Sequence, residues 1–253
     1  MFASKRQQEI YSIIKQKGSA QVANLSKFFH VTKETIRRDL EQMEKQGLIR
    51  RTHGGAILNP KEQDVPSFFH REISHLESKQ SIAKEAAKLV KHGDIIALDS
   101  SDISFLLAKQ LAERDIMVIT NSIAVTLEFF DKEKVKVITV GGYLNKELSS
   151  FNGSITEKAI EGYHVDKYFF SCNGVHLEHG AYENNEMEAQ VKHKFMSISD
   201  QLILLADHAK FGQKSLTSLI TLDKIHVLVT DQGLPINTLT SLRGRNLQLF
   251  VGQ

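Results

Sequence analysis

The fold of the first part of the chain is decided by residues 31–40, which read VTKETIRRDL. In this stretch and just beyond it, Ile36, Leu40 and Met43 recur at spacings of four and three, which is typical of the buried face of a helix. Thr32 precedes the pattern and can cap that helix. Two shorter apolar patterns of helical spacing lie upstream, and a tight break separates them from this helix. Three short helices in this arrangement predict a helix-turn-helix.

A basic segment follows the third helix: residues 48–58 read LIRRTHGGAIL. The glycines at its centre separate two short β-rich runs, which predicts a two-stranded hairpin that would form a wing. Residues 1–58 hold eleven Lys and Arg against five Asp and Glu, a net charge of +6. The rest of the chain holds twenty-one against twenty-five, a net charge of −4. A basic head on a mildly acidic body predicts that the head meets a polyanion.

A helix that enters the DNA major groove presents donors and acceptors to base edges near its N-terminus, while flanking cations neutralise phosphates. With Ile36 facing inward and about 100° per residue, Thr35, Arg37 and Arg38 are the candidates for base edges. The remaining cations of the helix start and the hairpin suit the phosphate backbone or the minor groove. The full predicted DNA-binding set is Thr32, Lys33, Thr35, Arg37, Arg38, Arg50, Arg51 and His53.

The same helix has a plainer interpretation as a solvated surface. Glu34 with Arg38, and Arg37 with Glu41, are spaced four apart and would form ordinary ion pairs on an exposed face. Helix spacing, local charge and the basic hairpin all agree with DNA contact. This agreement favours a DNA-binding helix over the plainer interpretation.

A polar stretch separates this head from the rest of the chain. Pro60 and Pro66, two of only three prolines, fall within residues 59–67, which predicts a linker. The predicted domain boundaries are residues 1–58 for the winged helix-turn-helix, 59–78 for the linker and 79–253 for an effector-sensing domain.

The second domain alternates β-rich runs with helical patterns. Its candidate strands are residues 95–98, 116–120, 135–140, 168–172, 202–206, 226–230 and 247–251. This alternation predicts an α/β domain with a largely parallel sheet. Ligands of such sheets bind beyond the carboxyl ends of the strands, so the polar clusters that follow the runs form the predicted site.

Residues 31–40 and 47–56 together resemble the signature of the DeoR family of bacterial sugar-operon regulators. The second domain resembles that family's sensor domain in the order and spacing of its polar clusters, which are Gly93-Asp94, Asp99, Thr120-Asn121-Ser122, Gly141-Gly142, Asn173-Gly174, residues 207–212 and Thr230-Asp231. The resemblance implies a winged helix-turn-helix joined to a sensor with a fold like that of ribose-5-phosphate isomerase. It further implies a regulator, usually a repressor of a carbohydrate-utilisation operon, whose operator affinity is changed by a sugar phosphate or a related sugar metabolite.

The resemblance also implies which residues contact the effector. Lys210 would supply a cation that faces a sugar oxygen or a phosphate, while glycines would let the backbone approach the ligand. The implied effector-binding set is Asp99, Ser100, Ser101, Thr120, Asn121, Gly141, Gly142, Asn173, Gly174 and Lys210. A solvated loop lysine is the plainer interpretation of Lys210, but its position just after an apolar strand favours the site.

One residue departs from the family pattern at the predicted phosphate loop. Where relatives usually have Gly-Thr-Thr, this chain has Ser101-Asp102-Ile103. A carboxylate about 4 Å from another negative charge costs about 4 kcal/mol at an effective dielectric of roughly 20. Either Asp102 faces away, as the cap of a helix that begins near Ser104, or the effector is unphosphorylated or bound in a shifted pose.

No catalytic residue, cofactor or metal is predicted. Asn173 stands where many relatives have an acid, and an amide cannot act as a general base. Cys172 ends an apolar strand, where a buried and inert thiol is expected. Cys172, His176 and His179 fall within eight residues and are ligand types that zinc accepts. Their spacing matches no motif and no fourth ligand is evident, so an ordinary polar loop is favoured.

Composition sets the remaining expectations. The single cysteine excludes an internal disulfide and favours a reducing cytoplasm, and no stretch has the roughly 18 apolar residues of a membrane span. One small head makes few DNA contacts, so we expect a homo-oligomer, dimer or tetramer, that binds paired half-sites of double-stranded operator DNA. The alternatives are a sugar-phosphate isomerase-like enzyme that carries a DNA-binding domain, and a constitutive architectural DNA binder.

Overall fold

The structure is a computed structural model that describes residues 3–45, 48–52, 54–58 and 75–253. The chain divides into two compact units, Met1–Glu72 and Ile73–Gln253. Of the predicted linker, residues 59–74 lie outside the described residues, whereas residues 76–78 are helical. Residues 76–78 thus form the start of the first helix that the structure describes in the second unit.

The described part of the head contains three helices and a small antiparallel sheet. Its elements are α1 (Ala3–Lys17), β1 (Ser19–Gln21), α2 (Val22–Phe29), α3 (Lys33–Lys45), β2 (Ile49–Thr52) and β3 (Gly55–Leu58). The strands pair in the order β1-β3-β2. The predicted helix-turn-helix and the β2–β3 hairpin are confirmed. β1 is an additional strand, too short to show an alternating pattern.

The helices of the head pack around a small apolar core. Ile36, Leu40 and Met43 of α3 are buried, as their spacing predicts. Ile10 and Ile14 of α1 belong to the same cluster. Burying an aliphatic side chain of this size contributes roughly 1.5–3 kcal/mol. These contacts fix which face of α3 remains outside.

The turn between α2 and α3 is specified locally. α2 is capped at its C-terminus by His30, whose φ of 54° lies in the left-handed region, and the N–H of Val31 donates to the carbonyl of Ser26 at 3.1 Å. Thr32 Oγ1 accepts from the N–H of Thr35 at 3.2 Å, which makes Thr32 the predicted cap of α3. The start of α3 is thereby fixed against the end of α2.

The small sheet needs a glycine where its strands come closest. At Gly55 a Cβ would lie 2.0 Å from the carbonyl oxygen of Ala20 in β1, so a larger residue would push the strands apart. The carbonyl of Gly54 accepts from the N–H of Val22 at 2.9 Å. The wing is thereby tied to the first residue of α2.

The second unit is an α/β domain whose largest sheet is confirmed as fully parallel. Its helices are α4 (Leu76–Ala87), α5 (Asp102–Leu111), α6 (Ile123–Glu128), α7 (Ser154–Glu161), α8 (Glu186–Ser197) and α9 (Ile236–Arg243). Its strands are β4 (Ile95–Leu98), β5 (Ile116–Thr120), β6 (Val135–Thr139), β7 (Tyr143–Asn145), β8 (Ser150–Asn152), β9 (Val165–Phe170), β10 (Gly174–His176), β11 (Gly180–Glu183), β12 (Ser199–Leu205), β13 (Thr217–Ile220), β14 (Val227–Asp231) and β15 (Gln248–Gly252). Seven strands form the parallel sheet in the order β15-β14-β12-β9-β4-β5-β6.

Helices cover both faces of this sheet. On one face α4 and α5 pack through Ile82 and Leu107, and on the other α7 and α8 pack through Ile160 and Phe195. Parallel strands buried on both faces read as continuous apolar runs, which explains why they are visible in the sequence. No helix in the described parts of the chain is long and apolar enough to cross a membrane.

The direction of strand addition reverses between β4 and β9. From β4 the sheet grows through β5 and β6 on one side, and through β9, β12, β14 and β15 on the other. Leu98 at the end of β4 pairs with Thr120 of β5 and Phe169 of β9. Open parallel sheets bind ligands beyond the carboxyl ends of their strands at such a reversal, which we call the switch point.

Candidate DNA-binding surface and effector site

The outer face of α3 carries the residues predicted to contact base edges. Arg37 and Arg38 are exposed and Thr35 is half-buried, whereas Ile36 is buried. Lys33, the first residue of α3, is also exposed. The N-terminal half of α3 therefore presents cations and a hydroxyl to the outside, as a helix in a major groove must.

A cleft of about 190 Å³ lies between α3 and the wing. Lys33, Arg37 and Arg51 line it, together with Gly54 and Gly55 of the wing. Three cations around one open cleft favour an anion, and glycines let an anion approach the backbone. A phosphate of a nucleic-acid backbone fits this lining.

The other predicted DNA-binding residues have separate positions. Arg50 lies exposed on β2 beside Arg51, whose backbone N–H donates to Glu44 Oε1 at 2.8 Å and ties the wing to α3. The hydroxyl of Thr32 is used in the cap of α3. His53 lies outside the described residues.

The exposed face of α3 holds an ion pair spaced by three residues. Arg37 Nη1 lies 3.4 Å from Glu34 Oε2, and both side chains are more than half exposed. The plainer interpretation expected pairs spaced by four. An exposed pair of this kind contributes little to stability, so Arg37 remains accessible to a phosphate.

A buried ion pair behind α3 was missed in the sequence. Arg6 of α1 contacts Asp39 of α3 with two nitrogens, Nε to Oδ2 at 2.6 Å and Nη2 to Oδ1 at 3.2 Å. Both residues are buried, and the hydrogen bond to Asp39 raises the pKa of Arg6 above its usual value. Asp39 lies three residues after Ile36, on the inner face. A carboxylate at an inward helical position is the signal that pointed to a buried partner.

Asp99 anchors the loop that follows β4. One of its carboxylate oxygens accepts from the hydroxyls of Ser101 and Ser104, both at 2.6 Å. The other accepts from the N–H of Ser171 at 2.9 Å. Ser171 directly follows β9, the strand that pairs with β4 at the switch point. Asp99 therefore shapes the loop from within.

Lys192 neutralises this buried acid together with a second one. Its Nζ lies 3.4 Å from Asp99 Oδ2 and 2.5 Å from Glu183 Oε2, and it donates to the carbonyl of Ser171 at 2.8 Å. Burial opposes the charge on Lys192, but Glu183 and Asp99 outweigh burial and raise its pKa above the usual value. Lys192 is therefore a fixed cation under the switch point.

Glu188 of α8 joins the loop after β4 to β8 at the same edge. It accepts from the hydroxyl of Ser100 at 3.0 Å, from the hydroxyl of Ser150 at 2.6 Å and from the amide of Asn152 at 2.9 Å. Glu188 and Lys192 were not predicted. They lie four residues apart on α8, and Phe195 continues the same buried face. Charged residues on an inward helical face are again the signal that was available.

Asp102 does not cap the helix that follows the loop; the predicted capping role was wrong. The cap is Ser101, whose Oγ accepts from the N–H of Ser104, and α5 begins at Asp102 itself. Asp102 Oδ2 instead lies 2.9 Å from Nζ of Lys79, which is buried on α4. Its charge is therefore matched by a cation from an earlier helix.

The polar residues at the end of β5 and just after it are buried. Thr120 donates to the carbonyl of Leu98 at 2.7 Å, which holds β5 to the end of β4. The amide of Asn121 donates to the carbonyl of Phe151 at 3.0 Å. Among the described residues, the side-chain oxygens of Asn121 and Asn152 find no hydrogen-bond donor. These acceptors suit the hydroxyls of a ligand or a water molecule.

The predicted glycines serve mainly to allow close packing. A Cβ at Gly142 would lie 1.9 Å from Thr156 Oγ1, and one at Gly174 would lie 2.6 Å from the carbonyl oxygen of Gln213. Gly141 has open space around its Cβ position. Asn173 is exposed, and its Oδ1 accepts from the N–H of Asn184 at 3.3 Å.

Lys210 reaches the switch point from the loop after β12. Its Nζ donates to Ser171 Oγ at 3.2 Å and to the carbonyl oxygen of Cys172. Within the described residues no carboxylate forms an ion pair with Lys210, unlike Lys79 and Lys192. Lys210 is therefore a half-buried cation at the site whose contacts are neutral.

The first turn of α4 touches the loops at this edge. Besides Lys79 on Asp102, the ring of His75 packs edge-on against the ring of His208 at a centroid distance of 5.2 Å. Burial raises the pKa of Asp231, but hydrogen bonds from Ser78 and His208 outweigh burial and lower it. Residues 75–79 therefore contact the segments that follow β4 and β12. They also contact the last residue of β14.

Two family models match the chain, one for each unit. The DeoR-like helix-turn-helix domain matches residues 6–62, and the DeoR C terminal sensor domain matches residues 74–232.

Curated relatives match over nearly the whole length. The chain is 39% identical to an uncharacterized HTH-type transcriptional regulator of Bacillus subtilis over 98% of this chain and 96% of the relative. It is 30% identical to a putative aga operon transcriptional repressor of Escherichia coli O157:H7, over 98% of this chain and 93% of the relative. It is 35% identical to an L-fucose operon activator of Haemophilus influenzae, over 92% of this chain and 93% of the relative. Among solved structures, ribose 5-phosphate isomerase A of Methanocaldococcus jannaschii aligns over 55% of each chain at 20% identity and a TM-score of 0.41.

Proposed function

This chain belongs to the DeoR family of transcriptional regulators, and from that premise we propose that it represses a carbohydrate-utilisation operon by binding operator DNA, with a sugar phosphate as its effector. The observation that carries the proposal is the joint match of the head and the sensor to the two domains of that family. A homo-oligomer in the cytoplasm completes the proposal, because paired heads on paired half-sites raise affinity through effective concentration.

The head would place α3 in the major groove. Arg37, Arg38 and Thr35 would face base edges, and the cleft lined by Lys33 and Arg51 would hold a backbone phosphate. The ion pair between Arg6 and Asp39 would keep α3 at a fixed position on α1.

The sensor would bind the effector at the switch point. Lys79 and Lys192 are already neutralised by carboxylates, whereas Lys210 donates to neutral oxygens in the part of the chain that the structure describes. Lys210 is therefore the cation best suited to a phosphate or an anionic sugar oxygen. Asn121 and Asn152 would accept from the sugar hydroxyls.

The pairing of Asp102 with Lys79 bears on whether the effector is phosphorylated. An unpaired carboxylate in this loop would repel a phosphate, but a paired carboxylate repels it much less. The geometry therefore supports the phosphorylated effector over the unphosphorylated one, which remains an outcome of the test below.

The first turn of α4 would carry the signal towards the head. Through His75, Ser78 and Lys79 it contacts three segments at the edge where the effector would bind, and in the chain it directly follows the connection from the head. An effector that binds one arrangement of this edge more tightly than another would shift α4 by that difference in affinity.

The test is operator binding by the full chain. Labelled promoter fragments from the neighbourhood of its own gene are titrated by fluorescence anisotropy, with and without a panel of sugar phosphates and their unphosphorylated counterparts. We expect one sugar phosphate to weaken operator binding by about tenfold or more. If an unphosphorylated sugar weakens operator binding equally well, the effector need not carry a phosphate and that part of the proposal is wrong. If the effector strengthens operator binding, the proposal of a repressor released by its effector is wrong.

A matched pair of lysine variants locates the effector. Lys210→Met should abolish the response and leave DNA affinity unchanged, whereas Lys214→Met, an exposed neighbour, should preserve both. The isomerase-like alternative is tested on the same preparation by incubation with ribose and hexosamine phosphates. Product formation in that assay would favour the enzyme.

A further inference from the structure

The tip of the β10–β11 hairpin brings two histidines and a glutamate together. His176 ends β10, and Glu178 and His179 lie in the turn that follows. One ligand atom from each residue, an imidazole nitrogen or a carboxylate oxygen, lies within 4.8 Å of the other two. The two imidazole rings stack with centroids 4.7 Å apart. None of these residues belongs to the proposed DNA-binding or effector-binding sets.

The backbone holds this tip in a closed turn. His176 pairs with Gly180 across the hairpin, and the N–H of His179 donates to the carbonyl of His176 at 3.2 Å. Gly180 has a φ of 88°, and a Cβ there would lie 2.0 Å from the carbonyl oxygen of Ile220. β11 is therefore seated tightly on β13, and the three side chains project from one short, fixed turn.

One imidazole is already oriented towards this turn. The N–H of Glu178 donates to Nδ1 of His176 at 3.3 Å. A ring nitrogen that accepts a hydrogen bond carries a lone pair, which is the form that binds a metal. A hydrogen bond of this length is weak, so a metal ion that binds the same lone pair can replace it.

The ligand types select the class of ion. Imidazole nitrogen and carboxylate oxygen suit zinc and neighbouring divalent transition metals, whereas magnesium and calcium prefer oxygen ligands alone. Two histidines and one glutamate leave further coordination positions for water or another group.

Cys172 is not part of this cluster, although the sequence places it near both histidines. It is buried, and burial raises the pKa of its thiol to about 11, so the thiol stays protonated at neutral pH. Glu178 takes the position of third ligand instead. A glutamate on an exposed turn has no distinctive spacing, which is why the sequence did not single it out.

We propose that His176, Glu178 and His179 bind one divalent transition-metal ion of the zinc type at the tip of the β10–β11 hairpin. The site is separate in its residues from the DNA-binding surface and the effector site, so it stands or falls independently of the proposed regulatory function.

The test is direct metal binding by the full chain, purified without a polyhistidine tag and stripped of metal by chelating resin. Zinc chloride is titrated by calorimetry, and cobalt chloride is titrated by visible absorption. We expect one zinc per chain, and a cobalt spectrum whose intensity reports nitrogen and oxygen ligands in a low-symmetry site.

Substitutions then assign the ligands. His176→Ala and His179→Ala should each weaken zinc binding by at least about tenfold, since each removes a direct ligand. Glu178→Gln should weaken it as well, because it removes the negative charge while keeping the size of the side chain. The control is His92→Ala, which removes an exposed histidine that pairs with Asp115 elsewhere in the same unit. Glu178, His179 and His92 are exposed and His176 is half-buried, and circular dichroism checks that each variant folds.

Two results would overturn the proposal. One is no zinc binding by the unaltered chain across the titration. The other is zinc binding that the double variant His176→Ala/His179→Ala retains at full affinity. Loss of binding in the site variants, with binding kept in His92→Ala, supports the proposal.

Discussion

The head and the sensor unit use their cations in opposite ways. On α3 and β2 the arginines that would meet DNA are exposed, lie close together in the sequence and form at most weak surface pairs. At the switch point Lys192 is buried between Asp99, which follows β4, and Glu183, which ends β11. A long polyanion is met by accessible charge, whereas a small ligand requires polar groups that a network holds in place. The two regions should therefore respond differently to the loss of one charge.

The largest effect is expected from Lys192→Met. Methionine would leave Asp99 and Glu183 buried without their cation, and breaking a buried pair in this way costs about 3–5 kcal/mol. Urea unfolding of the full chain, monitored by far-ultraviolet circular dichroism, measures the loss of unfolding free energy from the transition of the sensor unit.

Lys194→Met is the matched control for that experiment. Lys194 lies two residues further along α8 and pairs with Glu161 at the surface. We expect no measurable change in stability there, because solvent screens an exposed pair. Equal losses at the two positions would contradict the distinction between buried and exposed cations.

Arg6 and Asp39 form a buried ion pair in the head, and Asp39→Ala tests whether losing one partner is as costly there as in the sensor unit. The substitution leaves Arg6 buried without its carboxylate, which we expect to cost about 2–3 kcal/mol. The thermal transition of the head should move down, and specific DNA binding should weaken because α3 loses its anchor on α1. Glu34→Ala removes the exposed partner of Arg37 and should leave the transition in place.

A smaller effect is expected from single arginines on the DNA-binding surface, and here the readout is affinity. Arg38→Ala should cost about 1–3 kcal/mol on the specific site and relax base preference, since it removes the donor that we propose for a base edge. Arg51→Ala should weaken binding to specific and random DNA alike. It should also reduce the slope of log affinity against log salt concentration by about one. Anisotropy titrations on both duplexes at several salt concentrations separate the two. Equal losses on both duplexes for Arg38→Ala would remove it from the base-reading set.

The contrast between the regions also explains what the sequence could predict. The buried face of α3, its cap at Thr32 and the apolar strands are encoded by near neighbours, because helical spacing and capping act within a few residues. The polar loop after β4 could be placed at a strand end for the same reason. β1 could not be predicted, since its partner β3 lies far along the chain and a strand of its length has no pattern of its own.

The direction of Asp102 could not be predicted because its partner precedes it on another helix. Lys79 lies in α4, whose first turn the sequence assigns to the linker, and only the packing of α4 against α5 brings the two side chains together. Glu188 was missed for a related reason, since its contacts with Ser100 and Ser150 depend on the order of strands in the sheet. Long-range polar contacts follow topology, which short-range spacing does not specify.

The smallest expected effect is at Asp231, whose environment is intermediate between the two regions. It is buried like the acids of the switch point, but its partners are Ser78 and His208 rather than a lysine. Its pKa is lowered in the folded chain. An acid with a lowered pKa stabilises the fold above the unfolded value of about 3.9, and this stabilisation is lost as the pH falls below that value.

Asp231→Asn should therefore reduce the dependence of stability on pH at the acid end. We expect the melting temperature of the variant to fall less than that of the unaltered chain between pH 5 and pH 3, because the amide does not titrate. The matched control is Asp223→Asn, an exposed acid whose pKa is also lowered, chiefly by a hydrogen bond with Thr221. Solvent screening should make the contribution of Asp223 to stability smaller. The melting temperature of this variant should therefore fall between pH 5 and pH 3, its acid limb, as that of the unaltered chain does. A variant at Asp231 with an unchanged acid limb would show that the hydrogen bonds from Ser78 and His208 do not make this buried acid sensitive to pH.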